Sequence, residues 1–172
     1  MSYSNKQLTE MKDWIGTTKI ELDKLGRATK IIDHEGKTIT YELNKYGQRE
    51  KIVYPNNLEV NYEYENLLLK KVSHGIHPAE ETTYNYDNLG RMTEKTTGEL
   101  VTKYEFNPLG ALKRLIHTNK GKELEKFIYT YDPVGNMTSQ ERNGETTIYT
   151  YDSLNRLIQA GDNKYSYDNF GN

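Results

Sequence analysis

The chain has 172 residues, of which 34% are hydrophobic, with a formal net charge of −2, no cysteine and a mean hydropathy of −0.92. The missing cysteines exclude disulfides, thiolate zinc sites and cysteine nucleophiles. The small net charge, without a long charged run, removes the electrostatic footprint of a nucleic-acid binder, and no stretch approaches the roughly 20 apolar residues of a membrane span.

Such a low hydrophobic content leans toward disorder, but fifteen tyrosines reverse that reading, because each brings a large apolar ring with a hydroxyl able to reach a partner. At the N-terminus, Met1 to Trp14 lacks the apolar run of a secretory signal. Tyr3 to Met11 reads as a shortened hairpin, with residues 5–12 as strand and not helix. From there a nine-residue pattern returns along the chain. Its copies begin at Ile20 (IELDKLGRA), Tyr41 (YELNKYGQR), Tyr62 (YEYENLLLK), Tyr84 (YNYDNLGRM), Tyr104 (YEFNPLGAL), Tyr129 (YTYDPVGNM), Tyr149 (YTYDSLNRL) and Tyr165 (YSYDNFGN). The steps between them are 21, 21, 22, 20, 25, 20 and 16 residues, so each step is one supersecondary unit.

Positions one and three of the pattern are aromatic or aliphatic. In a strand such residues share a face, so Tyr84 with Tyr86, Tyr129 with Tyr131, and Tyr149 with Tyr151 line one side of a sheet. Position four is Asp or Asn (Asp87, Asp132, Asp152), position five is twice Pro (Pro108, Pro133), and position seven is Gly (Gly90, Gly135), replaced once by Asn155. That order is the chemistry of a type I turn closed by a left-handed bulge residue, for which Asn is the best substitute. Asp23 with Arg27, Asp87 with Arg91 and Asp152 with Arg156 flank the turns as exposed pairs, each worth about 0–1 kcal/mol. Position six is Leu25, Tyr46, Leu89, Leu109, Val134, Leu154 or Phe170. Solvent would favour a polar residue there, so these turns are expected to pack against a neighbouring unit. The copies at Tyr62 and Tyr104 lack the Gly or the Arg, which leaves their register less determined.

Second turns send the chain back at Glu35-Gly36, Asn56-Asn57, Thr97-Gly98, Lys120-Gly121, Asn143-Gly144 and Asp162-Asn163. Asn143-Gly144 is the strongest short hairpin signal among them. Return strands such as Met92 to Lys95 and Leu157 to Ala160 are short and mixed. Two longer connections are expected, Ser73 to Thr83 and His117 to Lys126. The chain begins part way through a repeat and stops inside one, with Tyr165 to Asn172 as a first strand and turn lacking its return. Residues 1–172 are therefore expected to be a single array of about eight hairpin units, first and last incomplete, excerpted from something longer, with open sheet edges prone to self-association.

The pattern Y-x-Y-D-x-x-G-R-L, carried by Tyr84 to Met92, Tyr129 to Met137 and Tyr149 to Leu157, resembles the YD repeat of the Rhs (rearrangement hotspot) family over essentially the whole chain. The family includes the shells of bacterial polymorphic toxins, the cocoon of insecticidal toxin complexes, wall-associated proteins of Gram-positive bacteria and animal teneurins. The resemblance implies an all-β fold in which tandem antiparallel hairpins of about 20 residues form a curved, spiralling sheet. It also implies a secreted or cell-surface location and, in the toxins, a shell that encloses a C-terminal effector.

No constellation of residues points to catalysis. Asp132-Pro133 is similar to the Asp-Pro segment at which family shells cleave themselves, but it sits in phase as an ordinary repeat turn. His74 and His77 form a lone pair in a Gly- and Pro-containing loop, which is more often solvated than a metal site. The glycines recur one per repeat and form no phosphate loop. The expected function is a non-enzymatic structural module, part of a β-shell that encapsulates an effector, without metal or cofactor. Its expected partners are neighbouring repeats and the enclosed domain. The alternative is a carbohydrate or cell-wall adhesion module whose exposed tyrosines stack on sugars. The residues expected to carry the structural motif are Tyr84, Tyr86, Asp87, Gly90, Arg91, Tyr129, Tyr131, Asp132, Gly135, Tyr149, Tyr151, Asp152, Asn155 and Arg156.

Overall fold

The computed structural model describes residues 2–4, 7–75, 81–168 and 170–171, which contain seventeen strands and no helix. They fall in two compact units, Met1–Thr83 and Tyr84–Asn172. The first holds β1 (Ser2–Ser4), β2 (Gln7–Lys12), β3 (Thr17–Leu22), β4 (Ala28–Ile32), β5 (Thr38–Leu43), β6 (Arg49–Val53), β7 (Glu59–Glu65), β8 (Leu68–His74) and the start of β9 (Thr82–Tyr86). The second holds the rest of β9, β10 (Met92–Thr97), β11 (Leu100–Phe106), β12 (Leu112–Asn119), β13 (Lys122–Tyr131), β14 (Met137–Arg142), β15 (Glu145–Tyr151), β16 (Leu157–Ala160) and β17 (Asn163–Lys164). Within each unit sequential strands pair antiparallel, the all-β meander that the repeated hairpin chemistry predicts.

Strand alternation gives each unit two chemically distinct faces. In the first, Ile20 lies opposite Ile31, Ile31 opposite Ile39, Tyr41 opposite Ile52, Ile52 opposite Val60, and Tyr62 opposite Val72. The reverse face sets Glu21 against Lys30 and Glu63 against Lys71, with ion pairs at 3.1 and 2.7 Å. In the second unit Tyr104, Leu115 and Phe127 run across three strands, while Glu105 pairs with Arg114 on the reverse. Burial is shallow throughout. Among the described residues only Ile52, at 5% exposed, and Val60, at 6%, count as core.

The hairpins depart from the sequence expectations in several places; at one, the return turn is Gly98-Glu99, one residue after Thr97-Gly98, because Thr97 pairs with Leu100. His117 to Lys126 is no loop: β12 and β13 continue to a tight turn at Lys120-Gly121, so the 25-residue step lengthens strands and leaves the connection short. Lys120 and Gly121 take φ of 52° and 76°, the primed turn whose twist matches the flanking strands and lets the ladder run on. The last return turn is at Gly161-Asp162, one residue before the expected place, because Ala160 pairs with Asn163 and Gly161 supplies the positive φ of 57°. Strand β17 ends at Lys164, so Tyr165 to Tyr167 is not the strand expected. One bond, from Tyr165 N–H to the Ile158 carbonyl, follows the ladder, but β16 is the only strand beside this stretch among the described residues. Ser73 and His74 belong to β8 and Thr82 and Thr83 to β9, so these four residues are strand and not the connection expected, while His77 and Pro78 lie outside the described residues.

A last departure is the copy without glycine. Tyr64 to Leu69 closes as a two-residue hairpin, Glu65 opposite Leu68, with Asn66 and Leu67 both left-handed at φ 50° and 67°. A leucine there is strained, because its Cβ crowds the following carbonyl. Leu67→Gly is expected to stabilise the chain by about 1 kcal/mol, read as a higher denaturant midpoint at unchanged m-value.

Candidate functional site

Apart from the Asn66-Leu67 copy, the repeat turns share one hydrogen-bond pattern. In the Asp152 turn, Oδ1 accepts from Leu154 N–H and Arg156 N–H, both at 2.9 Å, and Oδ2 accepts from Arg156 Nε at 2.7 Å. The backbone closes around it, with Asn155 N–H donating to the Asp152 carbonyl and Asp152 N–H to the Arg156 carbonyl. Asp23 with Arg27 and Asp87 with Arg91 repeat this arrangement, their ion pairs at 2.6 and 2.7 Å. Elsewhere the same latch is made without an ion pair. Asn44 receives the two N–H groups and its Nδ2 donates to Gln48 Oε1 at 3.0 Å, and Asp132 receives Asn136 Nδ2 at 3.0 Å. Gly90, Gly135 and Asn155 take the left-handed corner at φ 76°, 97° and 60°.

The carboxyls feel these donors. The Arg27 N–H bond, followed by its guanidinium, holds Asp23 below the ordinary range, as the Arg91 side chain does for Asp87 and the Arg156 N–H for Asp152. Partial burial pushes Asp132 up, but bonds from the Asn136 side chain and the N–H groups of Asn136, Val134 and Gly135 outweigh it, so Asp132 also ends low. Carboxyls lowered by folding stabilise above their unfolded value, near 3.8, and that contribution is lost as pH falls through the folded value. The thermal midpoint is therefore expected to be flat near neutral pH and to fall below about pH 4. Asp152→Asn should shrink that acid arm while keeping the turn, since Asn44 and Asn107 fill the same position and receive the same two N–H bonds.

Two further kinds of contact tie several neighbouring copies together, and neither was expected from the sequence. The Tyr151 hydroxyl donates to the Met137 carbonyl at 2.9 Å, Tyr131 to Leu112 at 2.8 Å and Tyr167 to Leu157 at 2.7 Å. In every case position three reaches position nine of the preceding copy. Position eight reaches forward: Arg27 donates to the Asn44 carbonyl at 3.1 Å, Gln48 to the Leu67 carbonyl at 2.8 Å and Asn136 to Asn155 Oδ1 at 2.9 Å. Where position three is Phe106, which has no hydroxyl, the Arg91 guanidinium of the preceding copy lies over the ring at 4.7 Å, and Arg156 sits likewise over Tyr167. Burial raises the phenols of Tyr86, Tyr129 and Tyr131, as expected of rings packed into a sheet face. Tyr84 and Tyr149 are half-buried, and Tyr149 reaches Gln140 at 3.5 Å. Tyr151→Phe should cost about 1 kcal/mol, the net value of one such bond, with the strand content unchanged by circular dichroism.

The turn tips do not pack as expected. Leu25, Tyr46, Leu89, Leu109, Val134, Leu154 and Phe170 are all exposed, from 62% for Tyr46 to 91% for Phe170. The type I turn with its bulge projects position six outward beyond the strand ends, and no neighbouring turn covers it. Among the described residues no polar or charged side chain is buried and no three His, Asp or Glu converge as metal ligands would.

Residues 81–172 match the family described as Teneurin YD-shell. Over 98% of its length the chain is 28% identical to the tRNA3(Ser)-specific nuclease WapA of Bacillus spizizenii, and over 99% it is 26% identical to chicken (Gallus gallus) teneurin-1. It spans only 7% and 6% of those two proteins. Among solved structures, the crystal structure of TcdB2-TccC3-TEV superposes on 88% of this chain with a TM-score of 0.75 at 20% identity, using 9% of that chain. That likeness is one of fold.

Proposed function

The chain belongs to the Teneurin YD-shell family, and from that membership we propose that it is a non-enzymatic section of shell wall, one stretch of a longer repeat array in a secreted or surface-exposed protein, whose shell encloses an effector domain. The observation that carries this reading is the coupling between copies. Neighbouring repeats within a unit are joined by the strand ladder and, at several junctions, by a tyrosine hydroxyl bound to a backbone carbonyl or by a position-eight side chain, both of which occur between the Tyr129 and Tyr149 copies. Such bonds make a continuous sheet that can be lengthened without a closed core. The nuclease activity in the WapA name belongs, on this reading, to a part of that protein outside the stretch matched here. The tyrosine faces serve as packing, and hydroxyls committed to the sheet at Tyr131, Tyr151 and Tyr167 weigh against the adhesion alternative.

The test is protease protection in the product of the complete reading frame. A segment C-terminal to the repeats should resist digestion in the intact protein and become labile when the wall is weakened by Gly135→Val. Equal susceptibility of that segment in intact, weakened and separately produced forms would sink the encapsulation reading.

A further inference from the structure

The chain holds one Asn-Gly pair, Asn143-Gly144, and every other asparagine short of the C-terminal Asn172 precedes a residue with a side chain. Glycine puts no side chain in front of its own N–H, so in this pair the main-chain nitrogen meets the asparagine amide with least hindrance. Both residues are exposed at the tip of the β14–β15 hairpin, and no atom beyond the chain neighbours lies within 4 Å of the place a Gly144 Cβ would take. Water and base therefore have free access. The tip is nevertheless closed on two sides. Arg142 opposite Glu145 leaves a two-residue loop with Asn143 and Gly144 at φ 52° and 95°, the primed turn of a tight hairpin. Sideways, Asn143 N–H donates to the Lys126 carbonyl at 3.0 Å, and Asn143 Oδ1 accepts the Lys126 N–H at 2.8 Å.

We propose that Asn143 is a self-modification site, converted to aspartate or isoaspartate through attack by the Gly144 nitrogen, and that the hairpin holds it unreacted until its bond to Lys126 opens. In the reaction Gly144 N bonds to Asn143 Cγ, and the side-chain nitrogen departs as ammonia with the Gly144 proton. The succinimide so formed takes up one water at either carbonyl, giving aspartate or isoaspartate. The fold separates the reacting atoms. Lys126 lies on β13, whereas the turn carries Gly144 over to β15, on the other side of β14. Cγ is thus held toward one neighbouring strand and the attacking nitrogen leads toward the other. The Lys126 donor on Oδ1 makes Cγ more electrophilic, but that gain counts only once the two atoms approach to about 3–3.5 Å, so position outweighs activation. Aspartate keeps an oxygen for Lys126. Isoaspartate threads the main chain through an extra methylene, so the loop no longer fits between Arg142 and Glu145 and the end of the ladder opens.

Peptide mapping by mass spectrometry, on the product of the complete reading frame incubated at mildly alkaline pH, tests this. In urea Asn143 should lose its amide, with isoaspartate among the products. Without urea it should do so at least about tenfold more slowly, because only the locally open fraction reacts. Urea below the unfolding transition should speed the reaction in step with hydrogen exchange at the Lys126 N–H, since both need the same bond to open. Asn143→Asp should leave that exchange unchanged, whereas the isoaspartate form should lose the protection. Equal rates with and without urea would overturn the proposal, as would reaction while the Lys126 N–H stays protected. An Asn143 amide that survives in urea would remove the site itself.

Discussion

Ile52→Ala is expected to destabilise the first unit by about 2–4 kcal/mol, the range for deleting a buried aliphatic side chain. Ile52 is 5% exposed, opposite Tyr41 on one side and Val60 on the other, at the centre of the most covered patch in the described structure. The same change at Ile148, 53% exposed on the charged face, should alter stability by no more than a few tenths of a kcal/mol. Urea unfolding of both variants separates the outcomes. A loss at Ile52 no larger than that at Ile148 would mean that the shallow core contributes little and that the ladders and turns alone hold the sheet.

Gly135→Val should cost more than about 1 kcal/mol, whereas Ser153→Ala should be nearly silent. At φ 97° Gly135 occupies the left-handed corner of the Asp132 turn, and a Cβ built there meets nothing within 4 Å. The penalty is therefore one of backbone conformation, about 1–2 kcal/mol for an ordinary residue and more for a β-branched one. Gly135→Asn should recover much of the loss, since Asn155 holds the equivalent corner at φ 60°. Ser153 sits at position five, where Lys24, Lys45, Asn88 and Pro133 also occur, so the turn makes no demand on its side chain. Equal melting temperatures for Gly135→Val and Ser153→Ala would remove the basis for the turn assignment.

The features legible in the sequence are those fixed by local chemistry. Asp or Asn, a free position, an apolar residue, Gly and a polar partner at fixed offsets can make few structures, so the turns and the tyrosine alternation could be read from letters alone. The same grammar also closes a return turn at Asp33-His34-Glu35-Gly36-Lys37, where Asp33 Oδ1 accepts Glu35 and Lys37 N–H as Asp23 accepts Leu25 and Arg27 N–H in its own turn. The coupling between copies was not legible, because its acceptors are mostly backbone carbonyls, which leave no mark on composition. The separations also vary: Tyr131 reaches back 19 residues, Tyr151 14 and Tyr167 10. The exposed tips defeated the inference from hydrophobicity. An apolar residue signals that something covers it, but the letters do not say whether that cover lies in the same chain.

The most direct measurement is electron cryomicroscopy of the protein made from the complete reading frame. If these repeats are shell wall, the map should show the hairpin array continuing from both ends of this stretch into a closed sheet around a cavity, with density inside belonging to a segment C-terminal to the repeats. A product in which these hairpins form a free-standing strip, with no cavity and no enclosed density, would contradict it.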